Sequence, residues 1–228
     1  MNIIRRIILL FIGVCLLSIG IVLTIHSGAG ASPWDVFHLG MVNVTGLTIG
    51  RISQLAGVVI LIIAAFFKEY PGWGTIFNTY FIGYFIDVIR SKQLIPFAAT
   101  TWQMWAMLFF GILFTGWGTC LYLLACLGSG PRDSLMLGLI KKFHQPVWKI
   151  RLVIETTAMM IGYFLGGLIG IGTVLTAILI GFAVQSGFFL TRKKASEIRH
   201  RVIWDDYKAY ISYSRRATKK TDNLREEL

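Results

Sequence analysis

Two aspartates, Asp35 and Asp133, are the residues of this chain whose type and position most clearly suggest chemistry. They lie in the segments GAGASPWDVF and GSGPRDSLML, each of which follows a long apolar run. Glycine commonly ends a helix, and proline commonly occupies the first turn of the next one. Each aspartate therefore falls in the first turn of a new helix. A carboxylate there accepts hydrogen bonds from free backbone N–H groups. Both aspartates could be helix caps alone, or caps that also take part in ion or substrate passage.

His38 and Arg132 adjoin the two aspartates. His38 follows Asp35 by three residues on the same helical face, which permits a proton relay or half of a metal site. The other histidines show no ligand spacing, and no metal site or cofactor is expected. Arg132 can pair with an anionic ligand through its forked guanidinium, or it can simply follow the cytoplasmic preference of basic residues. The second interpretation of Arg132 is preferred.

Glu155 and Asn78 lie within apolar runs. Arg151 precedes Glu155 by four residues, so a structural ion pair facing the bundle interior would lower the cost of burying this carboxylate. Asn78 corresponds to Thr176 in the second half of the chain, and interhelical hydrogen bonding accounts for both. The candidate substrate-binding residues are Asp35, His38, Asn78, Arg132, Asp133 and Glu155. No residue is assigned a catalytic or metal-binding role.

The composition indicates which kind of secondary structure positions these residues. The chain has 228 residues, of which 55% are hydrophobic and only 14% charged, with a mean hydropathy of +0.68. These values predict an all-α integral membrane protein in contact with a lipid bilayer. Runs of roughly 20 apolar residues are needed to cross the hydrocarbon. Six such runs are predicted to be transmembrane helices, at about 7–25, 52–67, 74–89, 104–126, 152–169 and 171–190.

The basic residues predict the orientation. With a cytoplasmic N-terminus and six crossings, 19 Lys and Arg residues lie inside and three, Arg51, Arg90 and Lys92, lie outside. Because basic residues concentrate in cytoplasmic loops, both termini are expected in the cytoplasm. The formal charge of +11 is therefore a signal of topology and of attraction to anionic lipid, and no nucleic-acid partner is expected.

The chain contains an internal repeat. An offset of 98 residues aligns PWDVFHLG with PRDSLMLG, and GWGTIFNTYFIGYFID with GIGTVLTAILIGFAVQ. At the preceding glycines the offset becomes 100, because two residues of the first half, Ala31 and Ser32, have no counterpart. The helix-break motif accordingly consists of Gly28, Gly30 and Pro33 in the first half and of Gly128, Gly130 and Pro131 in the second.

Each half is predicted to have three spans, at 1–97 and 98–191. Because three is an odd number, the two halves must cross the membrane in opposite directions. The segment 34–51 has one basic residue whereas 132–149 has four, which supports this inversion. Inverted repeats of this kind are typical of secondary transporters, whose sites lie near the midplane where helices are interrupted. The basic segment 192–228 is predicted to be a cytoplasmic tail, either solvated or lying on the membrane surface.

These blocks resemble a known family. GAGASPWDVFHLGM, PGWGTIFNTYFIGYFID, GSGPRDSLMLGL and the stretch IRLVIETTAMMIGYFLGGLIGIGTVLTAILIG resemble the YczE branch of the YczE/YyaS/YitT group of bacterial multi-pass inner-membrane proteins. The resemblance covers roughly residues 5–190, and the GPRD and GIGT blocks are its specific parts. It implies a bacterial plasma-membrane protein, but no substrate or reaction.

Two classes of function remain, and neither is enzymatic. No catalytic triad, zinc signature or cofactor fingerprint occurs in the sequence. The preferred hypothesis is a small transporter or exporter with a polar site between the two repeats. The alternative is an accessory or regulatory protein that binds a partner membrane protein. A homodimer is expected under either hypothesis, because six helices make a thin bundle.

Overall fold

The computed structural model of the chain describes residues 2–193 and residue 203. Most of the predicted tail therefore lies outside the described residues. Residues 2–193 form a bundle in which every regular element is an α-helix. The helices are α1 (Ile3–Ser27), α2 (Pro33–Thr45), α3 (Ile49–Phe66), α4 (Trp73–Ser91), α5 (Thr101–Leu124), α6 (Pro131–Phe143), α7 (Val147–Phe164) and α8 (Ile171–Leu190).

Each half of the described chain has four helices, one more than the three spans predicted for it. The additional helices, α2 and α6, have 13 residues each. At a rise of about 1.5 Å per residue they are near 20 Å long, too short for the apolar-run criterion to mark them as spans. Both begin at the proline of the helix-break motif, as predicted, and carry their aspartate in the first turn.

Four helices are long and apolar enough to cross a membrane by length and composition: α1, α3, α5 and α8. They correspond to four of the six predicted spans, with ends that differ by a few residues. The other two predicted spans are α4 and α7, which have 19 and 18 residues. Polar side chains such as Asn78 and Asp87 in α4, and Arg151 and Glu155 in α7, make these two helices less apolar.

The helices of the two halves follow one spacing. Each helix from α5 to α8 begins 98 residues after its counterpart from α1 to α4. The spacing also holds through the motif, where the sequence had suggested an offset of 100. The φ angle is 125° at Gly30 and 141° at Gly128. It is 72° at Gly28 and 56° at Cys126. The structural counterpart of Gly30 is therefore Gly128 and not Gly130, because backbone conformation and not the glycine spacing defines equivalence.

The centre of the bundle is an antiparallel contact between α1 and α5. Gly13 lies against Gly118, and Gly20 lies against Gly111, with no room for a Cβ atom at these glycines. Contact pairs in this opposite order require that the two helices run in opposite directions. Small residues allow membrane helices to approach closely enough for backbone packing. The first and second halves are therefore joined along their longest helices.

The linkers that follow α1 and α5 cross to the opposite half. The N–H of Gly172, at the start of α8, donates to Ala29 of the first linker at 2.8 Å. The N–H of Gly74, at the start of α4, donates to Leu127 of the second linker, also at 2.8 Å. Two of the free N–H groups at these helix starts are thus satisfied by the other half.

The two halves differ in how their last helices pack. α3 and α4 touch along a seam where Gly50 meets Gly83 and neither has room for a Cβ atom. Asp87 of α4 closes this seam by accepting from the N–H of Gly50 at 2.9 Å and from the hydroxyl of Thr48. Among the described helices, α7 and α8 barely touch, and Gly181, the counterpart of Gly83, has open space beside it.

Candidate functional site

A cavity of about 470 Å³ lies between the two halves and is lined by all eight helices. Its lining belongs to the middle of α1, α3, α4 and α8 and to the first turns of α2 and α6. It extends into the gap between α7 and α8. All six candidate residues from the sequence line it, namely Asp35, His38, Asn78, Arg132, Asp133 and Glu155.

The helix starts of α2 and α6 meet at this cavity. Ser32 is the N-cap of α2: its hydroxyl accepts from the N–H of Asp35 and donates to the Asp35 carboxylate. Asp133 in α6 has a different partner, because the hydroxyl of Tyr122 donates to Asp133 Oδ2 at 2.9 Å. Each carboxylate therefore has one oxygen held in place by a neighbouring hydroxyl group.

Asp35 and His38 contain two buried polar atoms that no described residue satisfies. Asp35 Oδ1 and His38 Nδ1 lie 3.6 Å apart, beyond hydrogen-bond distance, and neither has a partner in the described part of the chain. Both side chains are only 3% exposed. Buried polar groups are rarely left unpaired without a functional reason. The proximity of His38 to Asp35 predicted from their spacing is thus present, and these atoms can accept or donate toward a ligand.

Arg132 stacks on an aromatic ring. Its guanidinium carbon lies 4.6 Å from the ring centroid of Trp34, which belongs to the first turn of α2. No carboxylate of the described residues lies within 4.0 Å of its side-chain nitrogens. A guanidinium placed over an aromatic ring keeps N–H groups available for other hydrogen bonds. Arg132 therefore offers unused donors to the cavity.

Arg151 and Glu155 form the ion pair that their spacing predicted. Arg151 Nε lies 2.8 Å from Glu155 Oε1, and the two side chains are 50% and 25% exposed. Asn78 is buried but makes no hydrogen bond to a described residue, and Thr176 bonds to Gly172 of its own helix. Within residues 2–193 neither side chain makes the interhelical hydrogen bond that was predicted, and both line the cavity.

Two contributors to the site, Trp34 and Tyr122, were not among the residues predicted from the sequence. Trp34 precedes Asp35, and its position in the motif was a usable signal. Tyr122 lies near the end of α5, 11 residues before Asp133, and its hydroxyl reaches that carboxylate only because the second linker turns back. No spacing rule relates these two residues.

The remaining walls of the cavity are largely aliphatic. They are formed by residues of five helices: Leu17, Ile21, Ile60, Ile82, Ile154 and Ile180. Ligand sites commonly combine such apolar walls with a few polar groups that fix orientation, in volumes of roughly 300 to 1,000 Å³. The cavity therefore has the size and composition of a site for one small molecule.

Comparisons with known proteins give a consistent assignment. The model of a family of unknown function, DUF6198, matches residues 4–188. An uncharacterized protein of Haemophilus influenzae is 38% identical over 186 residues, covering 82% of this chain and 84% of the relative. The uncharacterized membrane protein YczE of Bacillus subtilis is 36% identical over 177 residues, covering 77% of this chain and 81% of the relative.

A more distant relative has a similar coverage. The uncharacterized protein YyaS of Bacillus subtilis is 31% identical over 179 residues, covering 76% of this chain and 88% of the relative. No solved structure matches the chain significantly. The family model covers both halves, including the helix-break motifs and the residues that line the cavity.

Proposed function

The chain belongs to the DUF6198 family, and we propose that this membrane protein is a small transporter whose substrate site is the cavity between its two halves. The family match confirms the resemblance to YczE and YyaS that the GPRD and GIGT blocks predicted. One observation carries the proposal: six polar residues, separated by up to 120 positions in the sequence, line the same cavity.

The proposed topology is an inverted repeat with six crossings. It counts α1, α3, α4, α5, α7 and α8 as crossings, and α2 and α6 as half-helices that begin at the cavity. The common spacing of 98 residues and the antiparallel contact of α1 with α5 support this topology. Secondary transporters with inverted repeats have their sites where interrupted helices meet. The proposal assigns both termini to the cytoplasmic side of a bacterial inner membrane, in accord with the distribution of basic residues.

The difference between the seams supports a mechanism of alternating access. The α3–α4 seam is closed and the α7–α8 gap is open, although the two helix pairs are counterparts. If the two halves exchanged their arrangements, the α7–α8 gap would close and the α3–α4 seam would open. In the proposed orientation, α3 begins on the outer side and α7 on the inner side, so the structure is an inward-facing state.

Two cysteine pairs test this mechanism without knowledge of the substrate. A Cβ atom at Gly57 would lie 3.6 Å from the Cβ of Thr79, within the range that a disulfide requires. Glu155 and Ala177 are the counterparts 98 residues later, on helices that barely touch. Variants G57C/T79C and E155C/A177C, oxidised in native membranes, report the closed arrangement of each helix pair. The native cysteines Cys15, Cys120 and Cys126 are first replaced by serine or alanine.

Alternating access requires that both pairs form disulfides and that each disulfide prevents the other in a four-cysteine variant. Labelling of a cysteine at Ser53, which lines the cavity, by an impermeant thiol reagent should then switch sides between the two locked forms. The single variant E155C is the control, because it removes the partner of Arg151 without forming a cross-link. If only G57C/T79C forms a disulfide, the cavity does not alternate, and an accessory protein that binds a partner becomes the better hypothesis.

A further inference from the structure

We infer that the cavity binds a small zwitterion, a molecule with one carboxylate, one ammonium group and an apolar side chain. The inference rests on the proposed function, since it names the substrate class of the same site. Its basis is the presence of unused positive donors and of an unused carboxylate oxygen around one aliphatic cavity.

Arg132 supplies the part of the site that binds the carboxylate. The Trp34 ring covers one face of its guanidinium, at 4.6 Å, and holds the side chain in the cavity. Its edge donors have no carboxylate partner in residues 2–193. A guanidinium edge matches a carboxylate in two parallel hydrogen bonds. The start of α6, where Arg132 lies, adds the positive end of a helix dipole.

Asp35 supplies the part of the site that binds the ammonium group. Ser32 occupies its Oδ2 atom, whereas its Oδ1 atom is buried and unpaired. This second observation is independent of the helix start, because the unpaired oxygen and His38 Nδ1 both belong to side chains that are 3% exposed and line the cavity. An ammonium group would donate to the unpaired oxygen.

The balance of charges distinguishes a zwitterion from a simple ion. Arg151 and Glu155 neutralise each other at 2.8 Å, which leaves Asp35, Asp133, Arg132 and the imidazole of His38 as the groups that face a ligand. A purely anionic ligand would add a third negative charge beside two carboxylates. A purely cationic ligand would leave the Arg132 donors without a partner of opposite charge. A zwitterion satisfies both groups and leaves the charge of the cavity unchanged.

The apolar walls predict the remainder of the ligand. Leu17 and Ile21 of α1, with Ile60 of α3 and Ile82 of α4, line one side of the cavity. An aliphatic side chain packed there is stabilised by the removal of its methylene groups from water. The combination of groups is that of an amino acid with an apolar side chain, and L-leucine is a suitable probe.

Three probes of the same carbon skeleton test the inference. The full-length chain in lipid nanodiscs is titrated by calorimetry with L-leucine, with isocaproate, which lacks the ammonium group, and with isoamylamine, which lacks the carboxylate. L-leucine should bind at least about tenfold more tightly than either analogue, because each analogue leaves one charged group of the cavity unpaired. Equal binding of isocaproate or of isoamylamine would overturn the inference, and so would the absence of leucine binding.

Variants assign the two ends of the ligand. Arg132→Gln should weaken leucine about tenfold or more without weakening isoamylamine. Asp35→Asn should weaken leucine and isoamylamine without weakening isocaproate. Arg51→Gln and Glu69→Gln are matched controls outside the cavity. The cysteine pairs need no ligand, so alternation without leucine binding refutes only the substrate class, and leucine binding without alternation refutes only transport.

Discussion

The guanidinium carbon of Arg132 lies 4.6 Å from the centroid of the Trp34 ring, and this contact joins the first turns of α6 and α2. The two residues are separated by nearly one hundred positions and belong to opposite halves of the chain. Their contact links the two half-helix starts that carry Asp35 and Asp133.

Replacement of Trp34 is expected to destabilise the protein. A partly buried cation–π contact stabilises a protein by about 1 to 2 kcal/mol. In a chain of this size, each kcal/mol lost lowers the unfolding midpoint by roughly 2–4 °C. Trp34→Leu should lower the midpoint in detergent, measured by size-exclusion chromatography after heating, while Trp34→Phe should retain most of it. The control is Trp148→Leu, since Lys149 lies over an indole that is 63% exposed. Equal loss in the Trp34 and Trp148 variants would contradict the prediction.

The α3–α4 seam is expected to be sensitive to a single methyl group. Gly83→Ala places its Cβ against the Gly50 carbonyl oxygen, and overpacking of this kind costs about 1 to 3 kcal/mol. The same change at the counterpart, Gly181→Ala, meets no atom within 4 Å and should cost nothing. Thermal midpoints of the two variants provide the comparison. If Gly181→Ala is the more harmful change, α7 and α8 are packed in the membrane and the seam assignment is wrong.

The crossed linkers are expected to require glycine at two positions. Gly30 and Gly128 have φ values of 125° and 141°, and a Cβ at either would strike the helix start of the other half. Gly30→Ala and Gly128→Ala should therefore each abolish or strongly reduce the monodisperse protein yield. Gly28 has a φ of 72° and open space around it, a conformation that asparagine adopts readily. Near-normal yield is expected for Gly28→Asn, and similar losses at all three positions would argue against the crossed contacts.

Asp87 is expected to hold the closed seam. Loss of a carboxylate that caps a helix start costs about 1 kcal/mol, and Asp87 does so for α3 through Gly50 and Thr48. Asp87→Ala should weaken the closed arrangement of α3 and α4 and raise the rate at which E155C/A177C forms its disulfide. Gln185→Ala, at the counterpart position, is the control and should leave that rate unchanged. A reduced rate in Asp87→Ala would reverse the assigned role.

Local sequence rules predicted the starts of α2 and α6 well. Proline at the first helical position and an aspartate in the first turn are preferences of a single helix end, and both apply at Pro33 and Pro131. The two segments were not counted among the predicted spans, because a criterion based on about 20 apolar residues does not mark helices of 13 residues. The intrahelical pair of Arg151 with Glu155 was also predictable, since four residues form one turn.

Contacts between the halves were not predictable from local rules. The hydroxyl of Tyr122 reaches Asp133, and Gly128 meets the start of α4, only after the linkers have crossed. The repeat predicted that two motifs exist, yet the glycine spacing gave the wrong equivalence for Gly30. The backbone φ values identify Gly128 as the counterpart of Gly30, because both positions have a positive φ.

The crossed linkers also determine the order in which the protein can be completed during synthesis. The start of α4 donates from Gly74 to Leu127, a residue that the ribosome adds more than fifty positions later. The start of α4 therefore lacks this hydrogen-bond partner until the second half has been made. Separate expression of the two halves as two chains should restore the protein when both are present and leave each alone prone to degradation.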